Sequence, residues 1–111
     1  MWRGWTTRAN ADAYEKYLEK ELFPRLHREL SQRGYRGYHL LRLLRDQEAE
    51  FVTMVWFDSL LAVRAFAGDD YQTPVISATA MDLLSRYQEH CDHFELIGSQ
   101  WITSGQTRLN L

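Results

Sequence analysis

Trp5, Trp56, Arg3 and His39 are the residues of this chain best suited by type to chemistry. Two indole rings can sandwich a planar molecule; the same rings can equally fill a core. Arg3 lies two residues from Trp5, on the same face of a strand. If that face is turned toward the helices, Arg3 becomes a charge inside a pocket. Its guanidinium would then bind a phenolate or a carboxylate and stabilise negative charge on a reacting substrate. If the face is turned away, Arg3 is a surface or interface residue. Phe66 would add a further ring. His39, a neutral base near pH 7, would deprotonate a phenol or an activated carbon acid, or else be hydrogen-bonded in a core or dimer interface. Tyr71, in the stretch Gly68 to Pro74, reads as a lid residue over a pocket mouth or as the anchor of a turn. The candidate substrate-binding residues are therefore Arg3, Trp5, Trp56 and Phe66, and the candidate catalytic residues His39 and Tyr71.

The run His90-Cys91-Asp92-His93 has the composition of a metal site. In a strand only Cys91 and His93 share a face, so three ligands do not converge. No metal and no cofactor are expected. Cys91 lacks a basic partner in the sequence that would lower its pKa, and it is not read as a nucleophile. No Ser-His-Asp spacing, phosphate loop or dinucleotide fingerprint is present. His27 sits beside the polar face of a helix and reads as solvated.

Composition bounds the rest. At 111 residues the chain is near the commonest domain size. Its formal net charge of −2 gives no electrostatic case for nucleic acid or an anionic membrane. The longest apolar run is far short of the ~20 residues a membrane span needs. The N-terminal MWRGWTTR has no apolar signal-peptide segment. The lone Cys91 excludes an internal disulfide, which makes a reducing cytoplasm the expected location. Aromatic residues reach 14% with four Trp, enough ring surface to fill a core or line a pocket for a flat ligand.

The elements that must position these residues centre on Glu50 to Gly68. Phe51 to Phe57 is β-branched and aromatic and reads as a strand buried on both faces. Asp58-Ser59 supply an N-cap, helical spacing follows from Leu60 to Phe66, and Gly68 stops the helix. Residues 1–8 read as a first strand, with Trp2, Gly4 and Thr6 on one face and Arg3, Trp5 and Thr7 on the other. Gly4 leaves room for something to approach the backbone closely. A long helix capped by Asn10 or Asp12 follows, with Tyr14, Leu18, Leu22, Leu26 and Leu30 on its apolar face. Pro24 predicts a kink or break near Lys20–Phe23, and Gly34 an end. Tyr35 to Arg45 is the second strand, with Tyr35, Gly37, His39, Leu41 and Leu43 on one face. The turn Asp46-Gln47-Glu48 joins it to the third strand, Glu50 to Phe57, as an antiparallel hairpin. Ser77 or Thr79 would cap a third helix carrying Met81, Leu83, Leu84 and Tyr87. Glu89 to Ile97 reads as the fourth strand. Residues 98–111 are a C-terminal tail, read as packing on a partner protomer or as partly disordered.

The order is β-α-β-β-α-β with a split second crossover helix, the ferredoxin-like α+β arrangement over residues 1–97, with a four-stranded antiparallel sheet. Such a sheet leaves one face open, and here that face also carries apolar residues. A second copy laid sheet against sheet would bury it, so a homodimer is expected.

WRGWTT, GYRGYHLLR and EFVTMVWFDSLLAVRAFAGDDY together resemble the small dimeric α/β-barrel proteins of the antibiotic-biosynthesis-monooxygenase type. The resemblance covers roughly residues 2–97 and rests on element order and aromatic placement. It implies two sheets closing a barrel across a dimer, with a ligand held between each sheet and its helices. It also implies cofactor-independent oxygenation of a small aromatic or quinol-like molecule. Arg3 would orient the substrate anion, Trp5 and Trp56 would stack on it, and His39 or Tyr71 would handle a proton. The haem-degrading members of that family use a first-strand Asn, a Trp ending the third strand and a His on the following helices. Trp56 matches the second; Arg3 stands at the first, and Ser59 to Ala67 offers no His. A non-catalytic small-ligand binder, a haem protein and a purely structural dimer of the same fold are the alternative expectations.

Overall fold

The computed structural model describes residues 1–102 and 108–111. The tail reading of residues 98–111 therefore falls in part, at 103–107, outside the described residues. Four strands, β1 (Trp2–Thr7), β2 (Tyr35–Leu44), β3 (Glu48–Phe57) and β4 (Leu84–Tyr87), form one antiparallel sheet in the order β2-β3-β1-β4. That order is consistent with the ferredoxin-like arrangement. The helices are α1 (Arg8–Tyr17), α2 (Phe23–Leu30), α3 (Leu60–Ala67) and α4 (Ala78–Leu83).

Local chemistry accounts for most of these boundaries. The Thr7 hydroxyl, rather than Asn10 or Asp12, caps α1 by accepting from the Asn10 backbone N–H. Between α1 and α2 the chain forms a π-helical turn, Leu18–Leu22, in which the Phe23 N–H reaches back to the Leu18 carbonyl. Pro24 follows at the start of α2, where a missing N–H costs least. The break expected near Lys20–Phe23 is this wider turn. Ser59 caps α3 through the Ala62 N–H, and Gly68 ends it. Ser77, not Thr79, caps α4 through the Ala80 N–H. Gly34 has φ +95°, and a Cβ there would lie 2.6 Å from the Ala62 Cβ, so no other residue fits without displacing α3.

Two bulges change which residues share a face. In β2 the register slips at Arg36, so Tyr35 and Tyr38, three residues apart, both face the helices. Tyr35 therefore does not share a face with His39, contrary to simple alternation. In β4 the slip at Ser85 brings Leu84 and Tyr87 to one face. The fourth strand is thus Leu84–Tyr87, and residues 88–102 have no regular structure. The 89–97 segment expected as a strand is held instead by isolated backbone bonds, Cys91 N–H to the Gln72 carbonyl and Asp92 N–H to the Met1 carbonyl.

All the helices lie on one face of the sheet. Gly4 and Thr6 of β1 and Ala49 and Phe51 of β3 point into that layer and are buried under Ala11, Tyr14, Leu18, Phe23, Leu26 and Ala80. Tyr14 packs edge-on against Phe51, and Phe23 stacks on Tyr38 at 3.7 Å between centroids. Gly4 answers the close approach expected of it: a Cβ there would lie 2.8 Å from Leu84 Cδ2. The opposite face carries Arg3, Trp5, His39, Leu41, Val52, Met54 and Trp56 and, among the described residues, has no helix over it. Among the described residues, no helix is long and apolar enough to cross a membrane.

Candidate functional site

The strand pleat divides the candidate residues between two places. Between the helices and the sheet lies a cavity of about 590 Å³. Its inner wall is made by Tyr14, Leu18, Phe23, Leu26 and Ala80, all buried. Trp2, Thr53, Val55 and Phe57 form its sheet side, and Val63, Phe66 and Ala67 of α3 another wall. The loop from Tyr71 to Ser77 and the segment holding Cys91 and His93 border its mouth. Phe66 and Tyr71 therefore line this cavity.

Arg3, Trp5, Trp56 and His39 do not. The expectation that they gather between helices and sheet is corrected by the pairing of β1 with β3. Gly4 pairs with Phe51 on the helix side, so Trp5, paired with Glu50, must point to the other face. Trp56, opposite Gly37, and His39, opposite Met54, point the same way. The indole that does reach the cavity is that of Trp2, whose Nε1–H is anchored on the Gln88 carbonyl at 2.8 Å. Trp2 is readable in the sequence as the face-mate of Gly4 and Thr6; residues 1–8 alone do not say which of the two faces meets the helices.

On the open face the four residues form two groups. Trp5 donates its Nε1–H to Glu50 at 3.3 Å, and the Arg86 guanidinium lies 4.0 Å over its ring. Glu50 also pairs with Arg3 at 3.8 Å and Arg45 at 3.3 Å. The Arg3 charge is thus met by a carboxylate of its own chain and is not free in a pocket. At the other end, Trp56 donates its Nε1–H to His39 Nδ1 at 2.8 Å. In neutral His39 the proton therefore sits on Nε2. The Trp101 ring stacks on His39, with centroids 6.1 Å apart and 18° between planes. Together these contacts make the open face an aromatic and ionic surface.

The polar groups at the cavity are arranged by depth. Arg25, Glu29 and His93 border it from exposed positions. His93 Nε2 lies 2.7 Å from the Tyr71 carbonyl, and the two rings meet edge to face. Tyr17 and Ser77 satisfy each other at 2.6 Å. The Cys91 thiol donates to the Met1 carbonyl at 3.7 Å. Inside are Tyr14 and Thr53. Burial pushes the Tyr14 phenol well above the ordinary tyrosine range, and neighbouring Tyr17 adds to this, so it stays protonated at neutral pH. Among the described residues no group of three His, Cys, Asp or Glu side chains is placed to hold a metal ion. His90 and His93 in particular belong to an irregular segment.

Compared with family models, with curated proteins and with solved structures, the chain matches none.

Proposed function

We propose that this protein binds one small, flat, mainly apolar molecule in the cavity between helices and sheet, and does so as a homodimer formed through the open sheet face. The cavity carries the reading. Its volume of about 590 Å³ falls in the range of small-molecule sites, and its wall is apolar with few polar groups. A merely structural core would be filled at this position. The dimer is supported by Leu41, Leu43, Val52, Met54 and Trp56, which form an apolar strip on a face that no helix of the described residues covers.

Filling the cavity tests the reading. Ala67→Trp places an indole in the space from α3, where Ala67 is only half-buried. The wild type should quench its Trp fluorescence saturably on titration with naphthol. The variant should keep its circular dichroism spectrum and lose most of that binding. Unchanged binding in the filled variant would remove the cavity from the account.

A second reading, cofactor-independent oxygenation of a quinol-like occupant in the manner of the resembling family, is supported by Phe66, Tyr71 and His93 at the same cavity. In it His93 takes the proton role first considered for His39, and Tyr71 covers the mouth. Isotopically labelled oxygen should appear in a product by mass spectrometry, and His93→Ala should abolish it. Binding without any product leaves the protein a carrier or sensor of its ligand.

A further inference from the structure

We propose that Tyr14 sets the specificity of the cavity: its hydroxyl hydrogen-bonds a neutral carbonyl or phenolic oxygen at the inner end of a flat apolar ligand, and an anionic group is rejected there. The inference rests on the ligand-binding reading above and adds the chemical class of the ligand and its direction of entry.

Tyr14 is 2% exposed and borders the cavity. Its helix-mate Tyr17 is satisfied by Ser77, whereas the Tyr14 hydroxyl has no such partner among the described residues. Unlike the Thr6 hydroxyl, which is fully enclosed, the Tyr14 hydroxyl keeps access to the cavity, where a ligand oxygen can complete it. An ordered water requires two to four polar neighbours. Leu18, Phe23, Leu26 and Ala80 of the buried wall supply none, and Thr53 is the further inner hydroxyl, so a water there would have the minimum of partners and be readily displaced. A ligand oxygen is the partner that fits.

Charge decides which oxygen. Among the described residues, the cations of the lining stand at the mouth: Arg25 is exposed beside Glu29, the Met1 ammonium is held by the Asp92 carbonyl, and His93 is exposed as well. The inner polar groups are the hydroxyls of Tyr14 and Thr53. A carboxylate pushed to that end would lose its hydration with no cation to compensate it. A ketone, quinone or phenol loses far less. Burial keeps the Tyr14 phenol protonated, so it can always donate. The ligand therefore enters with its neutral oxygen leading. Any charged substituent stays at the rim with Arg25, Glu29 and His93.

Three naphthalene probes of one shape test this: naphthol, naphthalene and naphthoate, titrated against wild type and Tyr14→Phe with Trp fluorescence as the readout. Wild type should bind naphthol about tenfold more tightly than naphthalene, as one hydrogen bond allows, and naphthoate most weakly. Tyr14→Phe should bring naphthol down to the level of naphthalene and leave naphthalene itself unchanged. Equal binding of naphthol and naphthalene by wild type overturns the proposal, as does a uniform loss of both in the variant or tightest binding by naphthoate. In those cases the cavity remains a ligand site. Failure of all three probes to bind the wild type removes the cavity reading as well.

Discussion

At the scale of single residues, the core hangs on Tyr14 and Phe51. Phe51 is 1% exposed and sits edge-on to Tyr14. Phe51→Ala should cost about 3–5 kcal/mol in denaturant unfolding, because its buried contacts with Tyr14 are lost and the surrounding core closes the gap only in part. Thr6 is the opposite case. Its hydroxyl is fully buried without a partner, so Thr6→Val should raise stability by about 1 kcal/mol. Tyr14 also predicts a pH dependence. Its folded pKa is raised, so the stability it contributes is complete below the unfolded value of about 10 and is lost as pH rises beyond it. Unfolding midpoints between neutral pH and pH ~11 should fall less steeply for Tyr14→Phe than for wild type. Which residues carry aromatic and ionic character was legible from residue types alone. Which side of the sheet they occupy was not. In β1, Trp2 and Trp5 are equally good candidates by type, and it is the pairing of Gly4 with Phe51 beneath α1 that puts Trp2 in the cavity.

At the scale of elements, caps and breakers wrote most boundaries. Ser59, Gly68, Pro24 and Gly34 act where their chemistry says they should. The two caps Ser59 and Ser77 differ in a way that can be measured. Ser59→Ala removes one cap bond and should cost about 1 kcal/mol. Ser77→Ala removes a cap bond and also strands the Tyr17 hydroxyl, so its cost should be about 2 kcal/mol. Equal losses would show that the Tyr17–Ser77 bond contributes nothing. The fourth strand was not legible for a definite reason. The slip at Ser85 puts Leu84 and Tyr87 on one face at a spacing of three, which is the signature of a helix. With those residues assigned to a helix, the apolar alternation of 89–97 is the next strand in sequence. The same mechanism in β2, at Arg36, brings Tyr35 and Tyr38 to one face, where Tyr38 stacks on Phe23 and Tyr35 meets Phe57 edge-on.

At the scale of the whole molecule, the sheet separates two kinds of surface that the sequence mixes. One face is roofed by helices and holds the cavity; the other is open and carries Trp5, Trp56 and His39. The open face predicts association. Sedimentation at micromolar concentration should give a dimer. The double substitution Leu41→Lys with Met54→Lys should give a monomer with unaltered helix and strand content, since both side chains stand on the open face. A wild-type monomer at that concentration would contradict the dimer and leave the cavity untouched, because the two features lie on opposite sides of one sheet.

The four indole N–H signals of Trp2, Trp5, Trp56 and Trp101 in a ¹⁵N correlation spectrum test that separation. On titration with naphthol the Trp2 signal should shift saturably, while Trp5 and Trp56 stay in place. Shifts of Trp5 and Trp56 with Trp2 unmoved would put the ligand on the open face and contradict the account.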